Sequence, residues 1–385
     1  MKILIVRTFP DIINVNTYNV QEIGLAKALI TKGIGCGVVL YHGKEADVIE
    51  EYYFSENGKT YSFPIYWMRG ISVFKNGFMP SVYKLIPEYD VVQVHEYDQI
   101  FSWMLYTRPQ KPTLIYHGPY YHPYAKGYNL KCKVFDLLFL KWRKHAQVSA
   151  LTKSELAADF LREKGFQDVE AVGVGVDRER FEIASGEYVR CLLERDDSKV
   201  RLLYVGKIEE RRNVYFLIEL LEKVRMKYQN VELVIVGSGE KEYTERFLNR
   251  IENLIEQKIV IYIPEASQKE LSLIYKNTDM FVFTSNYEIF GMVLLEAMYF
   301  GLPVISSANG GASVLIRDGE NGYMMPAFQI KEWQEKIEYL LGNAEVRLKM
   351  GECAHKRIEE HFLWEQLSNR FAEKYSSVVK KWEGR

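Results

Sequence analysis

At 385 residues the chain is long enough for two or three domains of the usual ~150 residues, and 48% hydrophobic with 26% charged residues leaves ample material for a core. Lys+Arg 50 against Asp+Glu 51 gives a net charge of −1, so no overall field draws in nucleic acid. Four cysteines (Cys36, Cys132, Cys191, Cys353) without a Cys-x-x-Cys spacing argue against a disulfide scaffold and a cysteine zinc site.

The chain opens MKILIVRTFP, an apolar run of four residues before Arg7. A signal-peptide core needs about 7–15 such residues and a membrane span about 20. No other segment reaches that length without charges, so the expected location is cytoplasmic, with a place on the inner membrane face left open.

Short β-branched runs then alternate with longer amphipathic stretches, the pattern of βαβ units and a parallel sheet. Lys2–Val6 reads as a strand, Val20–Lys32 as a helix, and Gly37–Tyr41, Val91–Val94, Thr113–Tyr116 and Gln147–Leu151 as further strands. The segment Glu182–Lys199 reads as a charged linker. The alternation restarts with strand Arg201–Val205, helix Asn213–Tyr228, strand Val231–Val236, helix Glu240–Gln257 and strands Ile259–Ile263, Met280–Thr284 and Pro303–Ser307. The expected class is α/β, with two Rossmann-like doubly wound domains facing a cleft at the carboxyl ends of their sheets. The expected boundaries are 1–185 and 186–362, with the C-terminal helix 363–385 returning to the first domain.

The second half carries the densest chemistry. TSNYEIFGMVLLEAMYFG (284–301) follows a buried strand, with Glu288 in the loop and Phe290, Gly291 and Met292 opening the helix. Unpaired N–H groups at a helix start form an anion site, and Gly291 permits close backbone approach. Glu296 has Met292, Val293, Tyr299 and Phe300 as its helical neighbours, an apolar face on which a carboxylate needs hydrogen-bond donors. A sugar or ribose diol would supply two; snorkelling to water, or a Lys or Arg partner, is the alternative. LLYVGKIEERRN places Lys207 and Arg212 after a strand, where two cations could neutralise a diphosphate or simply be solvated. VELVIVGSGE ends a strand with Gly237 and Gly239 but lacks the third glycine of the dinucleotide fingerprint. SSANGG (306–311) reads as a turn, either ordinary or ligand-facing.

In this order the residues resemble family 4 retaining glycosyltransferases of the GT-B fold, the group 1 glycosyltransferases, over essentially the whole chain. The most specific likeness is Glu288 and Glu296 at a Glu-x7-Glu spacing with Phe290-Gly291 inside it and Gly301-Leu302-Pro303-Val304 after it. Asn309-Gly310-Gly311, Asp318-Gly319-x-Asn321-Gly322, Val205-Gly206-Lys207 with Arg212-Asn213, and Gly173-Val174-Gly175-Val176-Asp177 follow the family's other segments. The resemblance implies that Glu288 contacts the donor sugar and Glu296 the ribose. It implies that Lys207, Arg212 and the backbone of Ile289, Phe290, Gly291 and Met292 hold the diphosphate. Gly237 approaches the ligand and Ile263 presents backbone to the base. Val314 and Pro264 depart from the family's usual Glu and Gly.

In the first half, His117 ends the strand TLIY at the sheet's carboxyl edge, where the family has a histidine near the donor sugar, so His117 joins Glu288, Lys207 and Arg212 as a catalytic expectation. His95 ends VVQV and is a lesser candidate. The loop Thr8–Asn19 carries Asn16-Thr17 in place of the family's glycine pair, so Asn14, Asn16 or Thr17 would have to reach the ligand by side chain. Residues 126–145 interleave Lys126, Lys131, Lys133, Lys141, Arg143 and Lys144 with Phe135, Leu137, Leu138, Phe139, Leu140 and Trp142. Such a helix either packs its apolar face on the sheet or lies on an anionic membrane, as would suit a lipid-linked acceptor.

No Asp-x-Asp is present (Asp196-Asp197 is followed by Ser198), so no metal and no cofactor are expected beyond a nucleoside diphosphate sugar, UDP foremost. The implied reaction is metal-independent front-face transfer of a hexose to a saccharide or lipid-linked saccharide in surface polysaccharide synthesis, with no nucleic-acid partner. The rival readings are a nucleotide-sugar epimerase of the same build, a nicotinamide oxidoreductase, and an inactive sugar-nucleotide-binding partner.

Overall fold

The computed structural model describes residues 1–384 apart from 17–19, 74, 141–144, 146, 182–195 and 197. It divides into two compact units, Met1–Asp177 with Phe362–Arg385, and Arg178–His361. The expected boundary at 185/186, most of the charged linker Glu182–Lys199, and Thr17, Lys141, Trp142, Arg143, Lys144 and Asp197 lie outside the described residues.

The first unit is built on an eight-stranded sheet of order β10-β9-β8-β7-β1-β2-β4-β3. Its strands are β1 (Lys2–Val6), β2 (Gly35–Tyr41), β3 (Val48–Glu56), β4 (Lys59–Met68), β7 (Val91–His95), β8 (Thr113–His117), β9 (Ser149–Thr152) and β10 (Asp168–Ala171). β5 (Ile71–Val73) and β6 (Asn76–Phe78) form a separate ribbon. Ile3 to Val6 and Val91 to Val94 are buried because helices cover both sheet faces, which is why these strands are almost wholly apolar, Gln93 excepted, rather than alternating. β3 and β4 are antiparallel and join through Asn57 and Gly58, both at positive φ (50° and 72°). Asn-Gly between two strands is a hairpin signal that the sequence analysis passed over.

The last helix, Trp364–Glu383, inserts Trp364, Leu367, Phe371, Tyr375 and Val378 into the core that holds Ile5, Leu25 and Tyr116. The chain enters it beside Val176, whose carbonyl accepts from the Trp364 amide at 3.0 Å. A Cβ at Gly24 or Gly175 would lie 2.1 or 2.3 Å from the Trp364 ring, so these glycines make the seat for the indole. The helix expected over 126–145 runs Lys126–Phe135 and widens into a π turn at Asp136–Leu140. Packing on the unit's interior accounts for one face of it only: Cys132, Phe135 and Leu140 are buried, whereas Leu130, Val134, Leu137 and Leu138 are exposed.

The second unit has a six-stranded parallel sheet of order β13-β12-β11-β14-β15-β16. Its strands are β11 (Val200–Val205), β12 (Val231–Val236), β13 (Val260–Ile263), β14 (Met280–Phe283), β15 (Val304–Ser307) and β16 (Gly322–Met325). Every expected strand is present within two residues at each end, and β16 adds to them. β11 and β14 lie side by side, so the order reverses between them, the place where ligands of open α/β sheets bind. Among the described residues, no helix is long and apolar enough to cross a membrane.

Candidate functional site

The loops after β11 and β14 are stitched together. The Asn286 amide donates to the Arg211 carbonyl and the Thr284 hydroxyl to the Arg212 carbonyl, both at 2.8 Å. The first loop closes at Asn213, which takes a left-handed φ of 52° before helix Val214–Arg225; Asn tolerates that conformation where the resembling family has Gly. Beneath them, a Cβ at Gly237 would lie 2.2 Å from the Gly206 carbonyl oxygen, so Gly237 lets two backbone turns touch.

This stitching gathers the charges. Arg211 Nη1 donates to the Tyr287 carbonyl at 2.6 Å and to Glu288 Oε1 at 3.2 Å. Arg212 Nη1 is in tight contact with the same oxygen, which also accepts from Ser285 Oγ at 3.0 Å. Glu209 lies 2.9 Å from Arg211 and 3.5 Å from Arg212 Nε. The buried Nε of Arg212 has no hydrogen-bond partner among the described residues, and burial lowers that guanidinium's pKa. Lys207 is exposed beside them. Arg211 was missed by the sequence analysis because adjacent cations in a loop carry no periodicity; only the reach to Glu288 singles it out.

Gly291 takes a left-handed φ of 75° and caps helix Met292–Tyr299. Among the described residues no acceptor engages the amides of Phe290 and Gly291. Gly310 and Gly311 lie directly against this loop. The Gly310 amide donates to the Glu288 carbonyl at 3.1 Å, and a Cβ at Gly311 would lie 1.5 Å from the Phe290 carbonyl oxygen. The SSANGG turn therefore buttresses the segment Glu288–Phe290.

Glu296 neither snorkels nor meets a Lys or Arg: it is buried, and Tyr275 Oη donates to its Oε2 at 3.0 Å. Burial pushes its carboxyl up to about 8, so at neutral pH it is mostly a neutral acid that can both donate and accept. Ile263 is buried at the end of β13, where its carbonyl accepts from the Gly237 amide at 2.9 Å and keeps a second lone pair.

The first unit holds its candidates differently. His117 does end β8, but it is fully buried rather than open at the sheet edge. It stacks on Phe160, meets Tyr97 edge-on, and presses Nδ1 against Glu96 Oε2. Glu96 sits at a strained positive φ of 60°, and its carboxylate also accepts from the Gly118 amide at 3.2 Å. Burial raises the Glu96 pKa, but His117, Lys153 and that amide outweigh it and hold the group at about 2. Glu96, Asp98 and His117 offer ligand atoms within 4.8 Å of one another, a donor set that a divalent cation could use. All three are internally engaged, because Lys131 Nζ lies 2.8 Å from Asp98 and His117 leans on Glu96.

His95 is buried and neutral, its pKa lowered to about 4 by desolvation. Its Nε2 faces Gln93 Nε2 at 3.3 Å and its Nδ1 faces Glu22 Oε1 at 3.2 Å. An amide nitrogen only donates, so Nε2 accepts and Nδ1–H donates to Glu22. Tyr375 of the last helix completes the chain at 2.7 Å from Gln93 Oε1. In the first loop, Asn14 accepts from the Asn16 amide at 2.9 Å, a local turn that occupies the Asn14 side chain.

The fold is that of GT-B glycosyltransferases. Anabaena HepE in complex with UDP superposes with a TM-score of 0.71 at 16% identity, over 98% of this chain and 100% of that one. Sucrose-phosphate synthase from Thermosynechococcus elongatus gives 0.68 at 17%, covering 99% of each. Residues 192–357 match the family described as Glycosyl transferases group 1, and this supports a group 1 glycosyltransferase. The capsular polysaccharide biosynthesis glycosyltransferase CapM of Staphylococcus aureus is 28% identical over 55% of this chain and 55% of its own. Spore coat protein SA of Bacillus subtilis is 29% identical over 47% of this chain and 48% of its own. The chain thus spans about half the length of the curated relatives it matches.

Proposed function

We propose that this protein is a retaining glycosyltransferase. It moves a hexose from a nucleoside diphosphate sugar, with UDP as the leading nucleotide, to a saccharide or lipid-linked saccharide in surface polysaccharide synthesis. The observation that carries this reading is the cluster of Arg211, Arg212 and Glu288 on two stitched loops at the switch point of the second sheet, with Lys207 exposed on the first of them. Cations there answer a diphosphate, and the unengaged amides of Phe290 and Gly291 add two more donors. Glu288 supplies acceptor oxygens for sugar hydroxyls, and Glu296, as a neutral acid, can pair with a ribose diol. The family match over residues 192–357 supports transfer, and the name of the CapM relative supports a polysaccharide product. UDP in the HepE structure supports the choice of nucleotide.

Chemically, the bond from the sugar's anomeric carbon to the diphosphate oxygen breaks and a bond to the acceptor oxygen forms on the same face. The acceptor hydroxyl's proton passes to the departing diphosphate oxygen. The chain's own part is to hold that developing charge with fixed guanidinium and amide donors. Thermal unfolding with UDP, GDP, ADP, CDP and NAD tests the donor. A ligand at 100 times its Kd adds about 2.7 kcal/mol, and one nucleoside diphosphate should do so alone. A shift with NAD only, or with nothing, overturns the reading. Proton NMR of the product then tests retention: an inverted anomer, or a trapped glycosyl-enzyme, rules out front-face transfer.

A further inference from the structure

The helix Lys126–Phe135 and its π turn Asp136–Leu140 belong to the first unit. Their inner face is fixed. Cys132, Phe135 and Leu140 are buried, Phe135 meets Tyr97 edge-on at 5.6 Å, and Phe139 contacts Trp103 at 4.9 Å. Their outer face should then be polar, as on an ordinary surface helix. It is not. Leu130 is 65% exposed, Val134 50%, Leu137 75% and Leu138 61%. These positions are i, i+4, i+7 and i+8, so the four side chains form one continuous stripe. Single exposed leucines are common on proteins, but four apolar side chains in register on an anchored helix are an apolar face without a partner among the described residues.

The charges beside the stripe identify what covers it. Going round the helix at 100° per residue, Lys126 and Lys133 flank the stripe on one side and Lys131 on the other. The single acid in this stretch, Asp136, is engaged by Lys164, Tyr97 and Tyr121 and does not offset them. Lys131 is tethered to Asp98, but Lys126 and Lys133 have no ion-pair partner among the described residues. A second copy of this chain would bring the same cations against these, so self-association through the stripe is opposed by charge. An apolar stripe bordered by lysines matches the boundary of an anionic bilayer, where leucines enter the acyl region and ammonium groups remain among the headgroups.

We propose that residues 126–140 are a membrane-docking face that seats the first unit on anionic lipid. The inference uses no feature of the donor site, so either reading can fail without the other. The test is co-sedimentation of the full chain with vesicles of phosphatidylcholine containing ~30% phosphatidylglycerol, beside pure phosphatidylcholine. Binding should be at least ~10-fold stronger to the anionic vesicles and should weaken with salt, because part of the attraction is screened. Leu137→Ser with Leu138→Ser, and separately Lys126→Glu with Lys133→Glu, should each lower it about 10-fold. Both pairs are solvent-exposed, so the ligand-free melting temperature should not fall. Equal binding to both vesicle types, or unchanged binding in both double variants, overturns the proposal. So does a dimer in sedimentation velocity that the leucine variant abolishes, which would assign the stripe to a second copy.

Discussion

The carboxyl edges of the two parallel sheets make opposite use of the same architecture. In the second unit, the ends of β11 and β14 gather Arg211 and Arg212 around Glu288, and among the described residues no acceptor meets the amides of Phe290 and Gly291. In the first, the ends of β7 and β8 gather His95, Glu96 and His117, all buried; His117 Nδ1 presses on Glu96, while its Nε2 has no hydrogen-bond partner among the described residues. A chemically capable residue at the end of a parallel strand is poised for a ligand only where its neighbours leave it unsaturated. The second edge meets that condition through excess donors. The first spends His95 on internal order, through the chain Tyr375–Gln93–His95–Glu22 that ties the last helix to the first, and encloses the unsaturated His117 Nε2 where a ligand does not reach it.

The largest expected effect breaks the second edge. Arg212→Gln should lower kcat/KM by about 100-fold, because a buried fork is lost from the developing diphosphate charge; steady-state kinetics checks it, and an active variant would erase the contrast between the edges. Gly311→Ala comes next. The new Cβ must displace the Phe290 carbonyl, so unfolding should show a loss of about 2–3 kcal/mol together with loss of the UDP-induced shift. Gly127→Ala, which meets nothing within 4 Å, is its neutral control.

Glu288→Gln sharpens the comparison. In the free protein Glu288 and Glu209 neutralise the two arginines, and an incoming diphosphate must compete with them. The variant should bind inorganic pyrophosphate several-fold more tightly by calorimetry while transferring sugar more slowly. Weaker binding would mean that Glu288 orders the arginines rather than competing for them.

Glu296 supplies a pH dependence. Its carboxyl titrates near 8 when folded, against 4.5 in the unfolded chain, so the native state holds the extra proton. Stability from this group is complete below about pH 4.5 and is lost as pH rises toward 8. Glu296→Gln should remove that slope and raise the melting temperature at pH 8.5 by at least ~3 °C relative to the parent. The smallest effect is in the first unit: Tyr375→Phe should cost about 1 kcal/mol in denaturant unfolding and leave nucleotide binding unchanged, as one buried hydrogen bond is lost without a cavity.

Much of this was legible before any coordinates. Apart from β3, β4, β10 and β16, the strands of both sheets stand out as buried apolar runs, and the donor loop as Glu288 and Glu296 around Phe290-Gly291. The β3–β4 hairpin was passed over although Asn57-Gly58 announces it, because its strands lack a clean alternation. Arg211 could not be chosen over any other surface cation, and Glu296 could not be matched to Tyr275, which lies 21 positions away on a different helix.

What the chain determines by itself is local and periodic: the α/β alternation, the glycines where backbone must turn or touch, and the residue types that can meet phosphate. Long-range contact decided the rest. Whether His117 is open or enclosed depends on Tyr97 and Phe160, and the state of Glu296 depends on burial. That Leu130, Val134, Leu137 and Leu138 are exposed while Cys132 and Phe135 are buried is likewise decided by what packs on the helix. Desolvation and pairing are properties of a neighbourhood, and a neighbourhood exists only once the chain has folded.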